Sequence, residues 1–452
     1  MWESQAFGSH SLDQTGSSEG TPAPTAGRPS PERLVRVGFI PLVDMAVLVA
    51  AAEQGFARRE GIRLELIRDV SWSNIRDRLA FQQFDVAHML SPMPVASQLG
   101  LGSNPYRCFT PFALGRGGNA VTLSLALYHE MQAVAGLDGS ENALANAMAL
   151  KAVIERRRRN GRKSVVFAMT YPFSSHNYEF RFWLAAGGID PDRDVTMTVV
   201  PPPLTVDAMS ANAIDGFCVN APWNMIAVEK GVGRIVATKT DIWPSAPEKV
   251  LGVSPIWAEK NPEILSRLIV ALDAAARWCD DPGNHSSLAD MLADPAYVGG
   301  GSDTILRVLQ GEISVDPDGR TRRIENYMMF HGQTANFPWI SQALWIYSQM
   351  VRWGQVYYNE ACIAQVETAY RPDIYRRVLE GSATAVPTID IKIEGAEPGS
   401  ITVPSNGGDI VLDQHPLIDQ RAFDPSDIPA YVDGFSIASK SPRWQQNMQS
   451  DA

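Results

Sequence analysis

In the stretch YPFSSHNYEFRFWLAAGGI, residues 171–189, two hydroxyls and an imidazole meet where a loop becomes an amphipathic helix. Ser174, Ser175 and His176 fall on the first turn, where backbone N–H groups lack intrahelical partners. A serine oxygen can accept from one of them, and Ser175 is the expected cap. Capping accounts for the serines and leaves the histidine unexplained. The partial positive charge of a helix N-terminus favours an anion and disfavours a cation. The sharper chemistry for this end is therefore to face a small anion, with His176 as one donor.

The elements that must hold such a site follow from hydrophobic patterning. From Leu34 onward, VRVGFI reads as a strand, AVLVAAAEQGFARREG as a helix ending at Gly61, and IRLELIRD as a second strand. SWSNIRDRLAFQQF is a helix capped by Ser71 or Ser73, and DVAHML is a third strand. Strand–helix alternation with near-continuous apolar strands predicts a mostly parallel sheet covered by helices. RCFTPFALGRGGNAVTLSLALYHE then reads as one long extended segment broken by Gly115, Gly117 and Gly118. A second α/β set follows, from KSVVFAM through DVTMTVVPPP and DGFCV to GRIVATK, and EKVLGVSPIWAEKNPEIL returns the chain. Two crossings between two α/β sets predict a hinged pair of lobes.

The expected division is a disordered tail over 1–33, rich in Ser, Gly, Thr and Pro, a first lobe over 34–114 and a second over 115–249. A helical part of the first lobe covers 250–378, and an ordered arm with aromatics to bury covers 379–452. Net charge is −11, from 39 Lys and Arg against 50 Asp and Glu, which argues against direct nucleic-acid binding. The basic run ERRRRNGRK, residues 155–163, reads first as a solvated helix C-terminus and second as a docking patch for an acidic partner. Cys108, Cys218, Cys279 and Cys362 are scattered, with no C-x-x-C pair, which fits neither a zinc site nor a disulfide framework. With no apolar leader and no long apolar run, the expected location is the cytoplasm, with no membrane contact.

The order of the segments SWSNIRDRLAFQQFDVAHMLSPMP, GGNAVTLS, YPFSSHNYEFRFWLAAGGIDPDRDV, VVPPP, IDGFCVNAPWN and EKVLGV resembles the nitrate- and bicarbonate-binding (NrtA/CmpA-like) branch of the ABC solute-binding proteins. The resemblance spans roughly residues 34–435. It implies a two-lobed periplasmic-binding-protein-like fold of type II, with the ligand in the interlobe cleft. Within the branch, the chain is similar to the cytosolic nitrate/nitrite sensors of the NasS type. Those pair with an ANTAR-type, RNA-binding antiterminator of the NasT type, which they release when ligand binds.

The resemblance places Trp72, His176 and Lys249 on the family's ligand contacts. A flat, singly charged acceptor such as nitrate or nitrite needs donors around its rim, one positive charge and an aromatic wall. Trp72 would supply an indole N–H and the wall, against the plainer role of a tryptophan packed between helices. Lys249, in PEKVLG, would supply the only full countercharge, so that Lys249→Ala should abolish binding while barely changing stability. Lysine at this position resembles the nitrate binders, whereas an acid there resembles the bicarbonate binders that recruit calcium; no metal and no cofactor are therefore expected. Asn119 would donate its amide from the hinge. Asn220, followed by Ala221 where relatives carry glycine and glutamate, would crowd or re-tune the pocket. Asp44 and His88 are cleft-edge candidates, His88 more plainly a packed strand residue.

Three other function classes compete, one of them a pure interaction protein with a dead cleft, against which the intact set of Trp72, His176 and Lys249 argues. A solute-binding component of an ABC uptake transporter would use the same pocket. An enzyme is not expected: thiamin-pyrimidine synthases share this fold but need a cysteine-rich iron motif, and no Ser-His-Asp order, phosphate loop or H-E-x-x-H helix is present.

Overall fold

Strands β1 (Arg33–Phe39), β2 (Ile62–Arg68), β3 (Val86–Leu90), β4 (Ala113–Gly117) and β5 (Asn119–Ser124) come first along the chain. They are followed by β6 (Val166–Met169), β7 (Thr196–Val199), β8 (Gly216–Asn220), β9 (Gly233–Thr238) and β10 (Lys249–Val253). In the computed structural model, which describes residues 32–102, 107–140 and 142–439, these strands build two separate sheets. The tail expected over 1–33 falls almost wholly outside the described residues.

The first sheet runs in the order Met328–Met329, β4, β10, β3, β1, β2, and the second in the order β7, β6, β8, β5, β9. Each has a parallel centre: β1 pairs with β2 and β3, and β6 with β7 and β8. The crossing strands run the other way. β10 is antiparallel to β3 and β4, and β5 is antiparallel to β8 and β9. The expectation of a mostly parallel sheet misses this for a geometric reason. A chain arriving from the other lobe enters at the cleft, where the parallel strands finish, and must run back along them. Register makes the point: Lys249 opens β10 opposite Leu90, the last residue of β3, and Asn119 opens β5 opposite Asn220, the last of β8.

The glycine-broken crossing is β4, Gly118 and β5. Gly117 and Gly118 take φ of +92° and +83°, a region L side chains avoid. A Cβ on Gly117 would lie 2.1 Å from the Tyr327 carbonyl oxygen. The extended reading runs too far here, because Ser124 caps a helix over Leu125–Ala135 by accepting from Leu127 N. The helix read over residues 46–61 is likewise split at Gly55, φ +74°, into Ala46–Glu53 and Phe56–Arg59.

Of the helical stretch read as part of the first lobe, Pro262–Asp280 lies along Ala46–Glu53, whose first six residues are fully buried. Helix Ile340–Arg352 packs on helix Pro92–Gln98 of the first lobe and reaches the second as well. Its Trp345 ring stands 4.8 Å from Trp243 and 6.2 Å from Phe182. Aromatic area of that kind ties the helix to the second lobe in addition to the first. The C-terminal arm forms a hairpin, Gly399–Val403 with Ile410–Gln414, and buries Phe423, Ile428 and Tyr431. TIDIKIEG, by contrast, forms no strand, and its Ile389, Ile391 and Ile393 are exposed. The basic run ends its helix with Arg157 and Arg162 on Glu130 and Arg158 on Asp194.

Candidate anion site at the strand ends

Trp72, His176 and Asn220 sit at the C-terminal ends of parallel strands or on the helices that follow them, and Asn119 and Lys249 open antiparallel strands at those same sheet edges, where open α/β sheets place ligands. Trp72 is the first residue of helix Trp72–Ala80, just after β2, and Ser71 caps that helix by accepting from Asn74 N at 3.2 Å. His176 lies in the first turn of helix Ser175–Ala186, after β6. Asn119, Asn220 and Lys249 hold the register positions given above. Each of the five is at most 1 % exposed.

The cap of the helix at His176 is Ser174, not Ser175: its Oγ accepts from Asn177 N at 3.0 Å. That frees Ser175, whose hydroxyl donates to Glu248 Oε1 at 3.0 Å. Glu248 is the centre of the site. Lys249 Nζ also contacts Oε1, and His176 Nε2 lies 3.5 Å from it. Its other oxygen, Oε2, accepts from Asn119 Nδ2 at 2.5 Å and from Lys239 Nζ at 2.6 Å. Lys239 in turn reaches Glu179 at 2.8 Å, and Asn119 Nδ2 donates to Glu179 Oε2 at 2.8 Å.

Lys249 is thus not a lone countercharge. Its ammonium lies 2.6 Å from Asp44 Oδ2 as well as on Glu248, and 5.5 Å from the centre of the Trp72 ring. Asp44 is held from its other side by His88 Nε2 at 3.0 Å, whose ring centre is 5.4 Å from that of Trp72. His88 is a buried strand residue, and its contact here is Asp44.

Electrostatics fix the protonation pattern. Burial lowers the His176 pKa to about 3, and the Lys249 ammonium pushes the same way. The ring is therefore neutral. Lys249 Nζ, 3.4 Å from Nε2, has only protons to offer, so Nε2 accepts and Nδ1–H donates to Thr170 Oγ1 at 2.9 Å. In this closed arrangement His176 presents a lone pair at Nε2, contrary to its expected role as a donor. Burial raises Glu179 to about 7 against the pull of Lys239. Burial also opposes ionisation of Glu248, but Lys239 and Lys249 outweigh it and hold the carboxyl below its usual range. Burial acts against the Lys239 ammonium too, and Glu179 and Glu248 more than restore it.

Asn220 spends its amide on the Gly117 carbonyl and on Asn119 Oδ1, both at 2.9 Å, and its Oδ1 has no hydrogen-bond partner among the described residues. It fills the space over Gly118, where an added Cβ would meet Asn220 Nδ2 at 2.7 Å. The Trp72 indole N–H is also buried without a partner among the described residues. Such an orphan donor is a natural contact for an added acceptor. No group of His, Cys, Asp and Glu among the described residues could hold a metal ion.

Glu248, Glu179 and Lys239 escape the sequence reading. In a strand, Glu248 and Lys249 would point to opposite faces. They converge because β10 begins only at Lys249, leaving Glu248 on the preceding loop. Glu179 carried a readable signal, being three residues after His176 on the same helical face. Lys239 carried none.

The sequence profile of the NMT1-like family matches residues 28–293. A nitrate/nitrite binding protein, NrtA, from Synechococcus elongatus is 30% identical over 450 residues, covering 97% of this chain and 94% of that one. A nitrate import ATP-binding protein, NrtC, from Synechocystis is 34% identical over 341 residues, 75% of this chain but 49% of that relative, so the chain spans about half that relative's length. The crystal structure of the periplasmic nitrate-binding protein NrtA from Synechocystis PCC 6803 matches with a TM-score of 0.78 and 25% identity, over 89% of this chain and 98% of that one.

Proposed function

The chain belongs to the NMT1-like family, in its nitrate- and bicarbonate-binding branch, and from that premise we propose that it binds nitrate or nitrite in the cleft between its lobes. The observation that carries this reading is the convergence of Trp72, His176 and Lys249 at the strand ends of both lobes, with the Trp72 N–H left over as a donor. The anion would take the Lys249 ammonium as its countercharge, the indole N–H as a rim donor and the Trp72 ring as a wall. A structure determined with nitrate tests this. Nitrate oxygens within hydrogen-bonding distance of Lys249 Nζ and Trp72 Nε1 support it, and nitrate bound elsewhere contradicts it.

We further propose that the protein is a cytoplasmic sensor, holding an ANTAR-type antiterminator of nitrate-assimilation genes until the anion binds. The sequence motifs support this role through their similarity to the NasS type. Lobe closure can switch a partner only if that partner discriminates the open from the closed shape. Gel filtration of the two proteins, with and without millimolar nitrate, tests the role: a complex that nitrate dissolves supports it, and a complex indifferent to nitrate or no complex at all removes it. The second reading, a solute-binding component of an ABC uptake system, is favoured by the names of the relatives, which are import and binding proteins. A permease and ATPase encoded beside the gene would support that reading, and an antiterminator the other.

A further inference from the structure

Two of the five residues expected to hold the anion already hold one. Asn119 and Lys249, joined by Ser175 and Lys239, donate to the carboxylate of Glu248, the neutral His176 ring stands 3.5 Å from it, and all are buried. A carboxylate presents a flat O–C–O unit with one negative charge, which is the shape and charge of the O–N–O of nitrite and of two oxygens of nitrate. The surrounding donors are divided between the two oxygens as they would be for such a guest: Ser175 and Lys249 on Oε1, Asn119 and Lys239 on Oε2. Glu248 reaches this place from the loop before β10; its backbone carbonyl accepts from Ser91 N at 2.9 Å, so the carboxylate leaves by rotation of the side chain alone.

We propose that Glu248 is a tethered competitor for the anion site, a specificity-determining residue whose carboxylate occupies the oxyanion position in the ligand-free protein and must leave for nitrate or nitrite to enter. The inference rests on the reading of the cleft as an anion site. It follows that the measured affinity is the intrinsic affinity reduced by the fraction of molecules in which Glu248 has swung away. It also follows that weak anions cannot enter, since they must displace a resident carboxylate held by two ammonium groups. With Glu248 withdrawn, Lys239 and Lys249 keep Glu179 and Asp44 as partners, and one added monoanion in the donor-lined gap restores the charge that Glu248 carried.

Calorimetric titration of the wild type, Glu248→Gln and Glu248→Ala with nitrate, nitrite and formate in chloride-free buffer tests the proposal. The expected result is nitrate and nitrite binding at least about tenfold tighter in Glu248→Ala than in the wild type. Formate, the missing carboxylate supplied free, should bind Glu248→Ala and raise its melting temperature while leaving the wild type unchanged. If Glu248→Ala folds only when nitrate or formate is added, that rescue supports the proposal equally. A wild type that binds nitrate, with Glu248→Gln and Glu248→Ala binding no tighter and formate without effect, overturns the competitor role and leaves the anion site standing. If no form binds any of the three anions, the reading of the cleft falls as well.

Discussion

At the scale of residues, the account turns on buried charges that compensate one another. Lys249 contacts Asp44 and Glu248, both buried. Removing one member of such a group leaves the others uncompensated, which costs about 3–5 kcal/mol. Lys249→Ala should therefore abolish nitrate binding and also lower the stability of the ligand-free protein, a correction to the expectation of unchanged stability; urea unfolding reads the second effect directly. The titrations oppose one another. His176 has a folded pKa of about 3 against an ordinary 6.5, and His88 is lowered too, in both cases chiefly by burial. Below pH 6.5 the unfolded chain takes protons that these folded rings refuse, so stability falls with acidification. Glu179 is raised to about 7 from 4.5, so between those values the folded chain holds a proton the unfolded one has released, and stability rises with acidification. From pH 6.5 to 4.5 Glu179 thus offsets one histidine. Glu179→Gln should lose stability on acidification more steeply than the wild type, by about one proton per molecule, when unfolding is followed at half-unit pH steps. Equal slopes would contradict the assignment. Much of this layer was illegible in the sequence. His176 stands out as a titratable ring on the first turn of a helix, while Trp72 and Lys249 stand out only through the motifs that carry the family resemblance. Lys239 and Glu248 look like ordinary surface charges until the fold brings them together.

At the scale of elements, the site depends on where helices and strands begin. Ser174→Ala removes the cap of the helix carrying His176 and should cost about 1 kcal/mol of stability, measurable by denaturant unfolding. The crossing at Gly117 is more demanding. Its φ of +92° and the close approach of the Tyr327 carbonyl leave no room for a side chain. Gly117→Ala should destabilise by more than about 2 kcal/mol, combining backbone strain with a clash. A melting temperature within a degree or two of the wild type would mean that the crossing is looser than the structure has it. Apolar runs and glycine placement made most strands and both crossings legible. Direction was not. Whether a strand runs parallel or antiparallel depends on the side from which the chain arrives, and the pattern in VLGV is the same either way. ALYHE was read as extended because its apolar residues continue the run from NAVTLS, and only the Ser124 cap marks the change.

At the scale of the whole molecule, two lobes meet over a network with members from each. Asp44 follows β1 and Lys249 opens β10 of the first sheet; Asn119 opens β5 of the second, and Ser175 and Glu179 lie on the helix after β6. Closing buries the site, so anything that binds there must couple to lobe motion. Coupling is reciprocal: if nitrate weakens a partner's grip on the open form, the partner weakens nitrate by the same factor, typically about 5–150-fold. Two lobes and two crossings were legible from the order of segments, while the reach of helix Ile340–Arg352 across both lobes was not, because aromatic partners far apart in sequence decide it. The central claim is that the cleft binds a small monovalent oxyanion without a metal. A calorimetric titration of the wild type with nitrate, nitrite and bicarbonate, each with and without calcium, tests it most directly. At a ceiling of about −1.5 kcal/mol per heavy atom, a four-atom anion reaches roughly −6 kcal/mol, or tens of micromolar before any gain from full charge. The account predicts one site for nitrate or nitrite at that affinity or tighter, indifferent to calcium; binding of bicarbonate alone, and only with calcium, would contradict it.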